Sequence, residues 1–295
     1  MKVRSEVKRF LAWYLPEPTK VLLYRIWQKW YDIRLDFYDV KYRTNVENIY
    51  YCTVHKAGSQ WFNSLLLDPV IYQWCGLKPW FRRVMGIDVR NYHERYYTHA
   101  FPARRIVTSL YINFDAFRMM PKPSEYRAFF VMRNPRDLTV SYYFSMAFTH
   151  TPMGDIPQKR AVLRSMEQRE GIMWTIKYLN DYGLYEALRS WSNADAQDPN
   201  VKVFQLEDIS GPSATDTVTR LLRHCDIRVP LEEVGELLNK YSFKAMKARD
   251  HRRVDGLSHY RSGKPGDWKR YFDDELENYF RKITGDLVEF LGYGE

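Results

Sequence analysis

The chain has 295 residues, a formal net charge of +9, 45% hydrophobic residues and 27% charged residues. That balance excludes a disordered or low-complexity chain and leaves room for one large α/β domain. The positive charge favours anionic partners without choosing among phosphorylated ligands, nucleic acid and lipid. The three cysteines, Cys52, Cys75 and Cys225, are odd in number and widely spaced. They argue against a disulfide framework or a zinc site and for a reducing, cytoplasmic location.

Residues 1–45 interleave Lys and Arg with Trp, Tyr, Phe and Leu, and Pro16 and Pro18 divide them into two helices. A basic, Trp-rich amphipathic segment can make peripheral contact with an anionic membrane. The plainer reading, a helical extension packed on the domain or on a partner chain, is preferred. No leader-type apolar run is visible, and none approaches the roughly 20 residues of a membrane span.

Beyond this extension, apolar and β-branched runs predict strands near 48–54, in the 105–114 run, at 128–132 and at 201–206. Helices are expected from Ser59, from Pro135 to about Phe148, through 160–191, and near 213–224, 230–240 and 273–291, with a loop at 192–200. Strands alternating with helices make a parallel central sheet flanked by helices on both faces. The absence of a linker makes residues 46–295 one domain.

Two strand ends carry the chemistry. After the first strand comes His55-Lys56-Ala57-Gly58-Ser59-Gln60-Trp61. Gly58 permits a tight turn, Lys56 supplies a mobile cation, Ser59 a hydroxyl, and the helix start offers unpaired N–H groups to an anion. Lys56 precedes the only glycine, so the Walker A pattern and its Mg²⁺-nucleotide chemistry are poorly supported. After the 128–132 strand comes Arg133-Asn134-Pro135-Arg136-Asp137-Leu138-Thr139-Val140-Ser141. Its guanidinium offers a planar fork to phosphate oxygens. Arg136 alone is compatible with a surface arginine at a helix start. Two anion sites on one sheet imply a ligand with two separated anionic groups.

The first loop resembles the P-K-S-G-T-T-W loop of the PAPS-dependent sulfotransferases (PAPS is 3′-phosphoadenosine 5′-phosphosulfate). Lys56, Gly58 and Trp61 match, Ser59 replaces a threonine, and Ala57 and Gln60 depart from the pattern. The second segment is similar along its whole length to the family's R-N-P-[RK]-D-x-x-V-S-x-Y. Arg261-Ser262-Gly263-Lys264-Pro265-Gly266-Asp267-Trp268-Lys269 resembles R-K-G-x-x-G-D-W-K, with Ser262 where lysine is usual. Ser242-Phe243-Lys244-Ala245-Met246-Lys247 is similar to the adenine segment S-F-x-x-M-K. The resemblance implies a P-loop-like sulfotransferase fold, PAPS as donor, 3′,5′-bisphosphoadenosine (PAP) as product and no metal. It implies that residues 56–61 hold the 5′-phosphosulfate, and that Arg133, Ser141, Arg261, Ser262 and Gly263 hold the 3′-phosphate. Trp61 and Phe243 would border the adenine. Leu206 stands where relatives often carry tyrosine.

For catalysis the resemblance implies that Lys56 neutralises the leaving oxygen. It also implies a general base in a T-H-x-P context, which Thr98-His99-Ala100-Phe101-Pro102 offers with one extra residue. His99 is the first candidate, and His93 and Glu94 are its rivals. The acceptor is a hydroxyl, or an amine, of a small molecule or glycan, with residues 149–191 expected over its pocket. The family's dimer motif is absent after Trp268, which leaves the oligomeric state open. A P-loop-like kinase and a noncatalytic nucleotide or membrane-surface module are the alternatives. Nucleic acid ranks last, since the basic residues cluster at ligand motifs rather than along a stripe.

Overall fold

A computed structural model describes residues 15–81, 85, 90–150, 154–249 and 264–294. Five strands, β1 (Asn48–Thr53), β2 (Lys78–Trp80), β3 (Arg105–Tyr111), β4 (Tyr126–Met132) and β5 (Val201–Gln205), form one parallel sheet in the order β2-β3-β1-β4-β5. Every residue of β1 is buried, as a central strand covered on both faces requires. Ile49 and Tyr51 of β1 join Phe129 and Val131 of β4 in one core layer, while Tyr50 and Cys52 join Ala128 and Phe130 in the other.

The helices, in chain order, are α1 (Glu17–Leu35), α2 (Ser59–Leu66), α3 (Pro69–Gln73), α4 (Phe114–Met119), α5 (Pro135–Phe144), α6 (Ile156–Arg164), α7 (Gln168–Asp181), α8 (Leu184–Trp191), α9 (Ala194–Gln197), α10 (Leu206–Ser210), α11 (Ala214–His224), α12 (Leu231–Lys240), α13 (Phe243–Arg249), α14 (Asp274–Thr284) and α15 (Leu287–Phe290). One core layer packs the sheet against α4, α5, α7, α8, α14 and α15, and the other against α2, α3, α11 and α12. The expected architecture is therefore the observed one.

The departures are local. The sequence patterning does not predict β2, a three-residue edge strand whose central Pro79 and following Phe81 bond to the Gln28 side chain: Gln28 Nε2 donates to the Pro79 carbonyl at 2.8 Å and Phe81 N to Gln28 Oε1 at 2.8 Å. A side-chain amide there does the work of a neighbouring strand. The 105–114 run stops at Tyr111 because Asn113 caps α4, accepting from Ala116 N. The 160–191 helical stretch breaks at Gly183, whose φ of +73° ends one helix and starts the next. The helix from Pro135 passes into a π turn over Ser145–Thr149. α9 lies inside the expected loop, and α10 begins at Leu206, where the strand was expected to end.

Asp137 carries the third motif to the second. It is buried on α5 and its two carboxylate oxygens accept from Gly266 N at 2.7 Å and Trp268 N at 2.9 Å. Arg136 is buried rather than on the surface. Its guanidinium lies 3.6 Å from the centre of the Trp268 ring and donates to the Tyr293 carbonyl at 3.1 Å. Together the two side chains pin the chain that leaves residues 261–263 onto the start of α5. Asp137→Ala should lower stability by about 1–3 kcal/mol, the usual cost of stranding such donors. Asp137→Asn, which keeps one acceptor, should lose about half of that, and thermal melting of the two variants checks the order.

Candidate functional site

Chain direction defines the site. After β1 the chain turns toward β2, and after β4 it turns the other way, toward β5. A crevice opens at such a reversal, outside the carboxyl ends of the two strands. The β1 loop, residues 54–58, and the β4 loop, Arg133-Asn134, both stand there.

The β1 loop is held in a demanding conformation. Lys56 has φ +70° and Gly58 φ +79°. A Cβ on Gly58 would lie 2.9 Å from Leu206 Cδ1, so that side chain would have to shift, and the positive φ itself favours glycine. Ala57 is fully buried. Gly58 caps α2 without a side-chain bond. Among the described residues the N–H groups of Gly58, Ser59 and Gln60 have no protein acceptor. Three open donors at the start of a helix suit an anion.

The β4 loop reaches the β1 loop directly: Arg133 Nη1 donates to the Lys56 carbonyl at 2.8 Å. Beside it, Asn134 N donates to Glu207 Oε1 at 2.9 Å and Tyr293 OH to Glu207 Oε2 at 3.0 Å. Burial pushes the Glu207 carboxyl above its ordinary range, against these bonds and the nearby Arg133 charge. On α5 every residue is buried except Ser141 and Phe144. Being three apart, these two share a face, so Ser141 keeps its hydroxyl accessible on an otherwise enclosed helix.

The adenine candidates also converge. Trp61 Nε1 donates to the Tyr241 carbonyl at 2.8 Å, two residues before Phe243 begins α13. Leu206 lies against Gly58. Gln60 is exposed on the first turn of α2. Arg261, Ser262 and Gly263 lie outside the described residues, as do residues 151–153 of the stretch expected over the acceptor pocket.

His55 was given no role by the sequence, and the structure places it at the centre of an aromatic cage. Its ring stacks on Tyr111 at 4.3 Å and is flanked by Tyr92, Tyr142 and Tyr182. Tyr111 OH donates to Ser59 Oγ at 2.9 Å, which joins the cage to the anion loop. Tyr92 OH lies 3.0 Å from His55 N and 2.8 Å from His55 Nδ1. It accepts from the backbone N–H, and burial pushes its own ionisation far up, so the phenol keeps its proton. Among the described residues Nδ1 is the only acceptor in reach of that proton. An imidazole that accepts this proton at Nδ1 carries its own hydrogen on Nε2. The available signal was that His55 stands where the related loop has proline.

From the cage a stacked ladder runs along α7. Tyr182 lies 5.6 Å from Tyr178, and Tyr178 lies 5.2 Å from Trp174, with near-parallel rings. Of the base candidates, His93 and Glu94 follow Tyr92, which bonds to the β1 loop. His99 is exposed, and its Nδ1 lies 3.0 Å from Thr98 Oγ1. It sits between Arg95, whose Nη1 reaches the Tyr111 carbonyl, and Arg105 at the amino end of β3. His93 and Glu94 belong to a single 3₁₀ turn with Tyr92, and His93 pairs with Glu186 at 3.3 Å.

Comparison with known proteins gives a consistent picture. The family model described as the sulfotransferase domain matches residues 47–292. Sulfotransferase 2A2 of Mus musculus is 25% identical over 262 residues, covering 82% of this chain and 85% of that protein. The 3-beta-hydroxysteroid sulfotransferase of Cavia porcellus is 25% identical over 257 residues, covering 82% and 84%. In fold, the chain is similar to mouse sulfotransferase SULT7A1 complexed with PAP (TM-score 0.55, 16% identity, 84% of this chain and 85% of that one). It is also similar to retinol dehydratase in a complex with retinol and PAP (TM-score 0.53, 14% identity, 88% and 86%). With a parallel sheet, two joined anion loops and a domain match over nearly the whole sheet and its helices, this chain belongs to the sulfotransferase domain family and is a PAPS-dependent sulfotransferase.

Proposed function

We propose that the donor lies across the β1 and β4 loops and that a hydroxyl, or less readily an amine, on a small apolar molecule receives the sulfuryl group in the aromatic cage. The observation that carries this reading is the joined loop pair: Arg133 on the Lys56 carbonyl, beside three open N–H donors. When bound, the donor supplies an activated sulfuryl group on a bisphosphate leaving group.

The chain's own residues then have separate tasks. Lys56 and the Gly58, Ser59 and Gln60 N–H groups hold the 5′ anion and stabilise charge as it grows there. Arg133 and Ser141, with Arg261, Ser262 and Gly263, hold the 3′-phosphate. Trp61, Phe243 and Leu206 border the base. His55 offers a hydrogen at Nε2 rather than a lone pair, so it serves as a donor to a charged oxygen and not as the base. The base for the acceptor proton is His99 by sequence context, with His93 and Glu94 next to the cage residue Tyr92 as its rivals. The Trp174–Tyr178–Tyr182 ladder supports an apolar acceptor. So do the names of the relatives, a hydroxysteroid sulfotransferase and a protein solved with retinol. A glycan acceptor is the second class. Residues 46–295 form the catalytic domain and 1–45 an extension of it. A cytoplasmic location is supported by three free, buried cysteines.

Calorimetric titration with PAP, with ATP and 5′-AMP as controls, tests the donor site. Binding should require the 3′-phosphate and should weaken about 10–100-fold in Arg133→Ala. A preference for ATP with Mg²⁺ would overturn the reading. Lys56→Ala should lower kcat about 10²–10³-fold with little change in melting temperature, and an equal loss of both would remove its catalytic role. A base must be unprotonated to work, so kcat falls as pH drops through its pKa. His99→Ala should therefore lower kcat and flatten the acid limb. An intact limb in that variant, and a lost one in His93→Ala, would move the base to the turn beside Tyr92. His55→Gln, which retains a donor, should keep more activity than His55→Ala.

A further inference from the structure

α1 has a second apolar face that no other described residue covers. α1 buries Gln28, Tyr31 and Leu35. Trp27 and Tyr31 pack against Phe81, and Asp32 grips Arg105 through two bonds of 2.7 and 2.9 Å. These contacts fix the helix's rotation about its own axis. At about 100° per residue, the side opposite the buried stripe carries Leu22, Leu23, Ile26, Trp30 and Ile33, with Phe37 just past the helix end. Five of these six are more than half exposed: Leu22 56%, Ile26 57%, Trp30 54%, Ile33 51% and Phe37 85%.

Charge is arranged about that stripe. Arg25 and Lys29 fall along one edge and Arg34 along the other, while Lys20 is paired with Glu17. The Arg34 guanidinium lies 5.9 Å from the Trp30 ring centre. Asp32 and Asp36 are engaged by Arg105 and Lys78 of the domain. The outward surface is thus an apolar band about 100° wide with cations on both margins. A protein groove would need acidic rims to fit it, whereas a bilayer surface meets both demands at once: acyl chains take the band and anionic headgroups take its margins. Among the described residues no helix is long and apolar enough to cross a membrane, so the geometry is that of a helix lying in the interface plane.

We infer that α1 docks the enzyme on membranes containing anionic phospholipid, with Leu22, Ile26, Trp30, Ile33 and Phe37 entering the headgroup–acyl boundary. The inference is independent of the donor site, since the stripe lies at the β2 edge of the sheet.

Co-sedimentation of the full chain with phosphatidylcholine vesicles, and with phosphatidylcholine–phosphatidylserine vesicles, tests it. Binding should be clearly stronger to the anionic vesicles and should fall with added salt. The double variant Ile26→Ser/Trp30→Ser should weaken it more than about tenfold, and Arg25→Glu/Lys29→Glu should abolish the preference for phosphatidylserine. Both variants should bind PAP and melt like the parent, because the substituted side chains face away from the domain. Absence of vesicle binding, or binding unchanged in both variants, would overturn the inference. So would concentration-dependent dimerisation removed by Ile26→Ser/Trp30→Ser in ultracentrifugation, which would assign the stripe to a second copy of the chain.

Discussion

The bond from Arg133 to the Lys56 carbonyl sets the geometry on which the rest of the site depends. Lys56 sits in the left-handed region, where a residue with a side chain carries about 1–3 kcal/mol of strain. It stays there because the strand before it is wholly buried, the alanine after it is fully buried, and a guanidinium from the neighbouring strand end holds its carbonyl. One arginine thereby links the two anion loops. It also brings its own positive charge to the place where the N–H groups of α2 are open. A parallel sheet with a reversal between β1 and β4 is what puts those strand ends side by side.

Behind this pair a second set of contacts aligns more distant segments. Asp137 holds the backbone of residues 266–268, and Arg136 holds Trp268 and the carbonyl of Tyr293. Glu207 receives Asn134 N and Tyr293 OH. The start of α5 is thus the meeting point of three stretches far apart in the chain. A motif that reads as ligand-binding in sequence is here divided by role. Arg133 reaches the β1 loop, while Arg136 and Asp137 are buried and hold the scaffold.

The aromatic cage has a different character. His55 packs among the rings of Tyr92, Tyr111, Tyr142 and Tyr182. Burial keeps the Tyr92 and Tyr142 phenols protonated across the ordinary pH range, so their hydroxyls act as fixed dipoles rather than charges. The one ring with a proton to place, His55, has its tautomer set by Tyr92. An extension helix with an uncovered apolar stripe completes a molecule whose catalytic end is polar and whose opposite sheet edge is greasy and cationic.

The order of strands and helices was legible in the sequence because a doubly covered parallel sheet demands continuous apolar runs, and the loops that follow carry distinctive residues. Lys56, Gly58, Arg133 and Asp137 could be singled out for the same reason: backbone freedom, cationic charge and spacing are local properties. The sequence read less well where a contact replaced a pattern. β2 is three residues long and leans on a glutamine from α1, so no periodicity announces it. His55 and the tyrosines around it are separated by up to 127 positions (from His55 to Tyr182) and meet only in the folded chain. The same holds for α1. Its composition declared a basic, aromatic helix, but which of its two apolar faces would be buried was decided by Gln28 and Asp32 finding partners on β2 and β3 and Tyr31 packing on Phe81. Local chemistry is written in the chain, whereas the direction a side chain faces is settled only when distant elements compete to bury it.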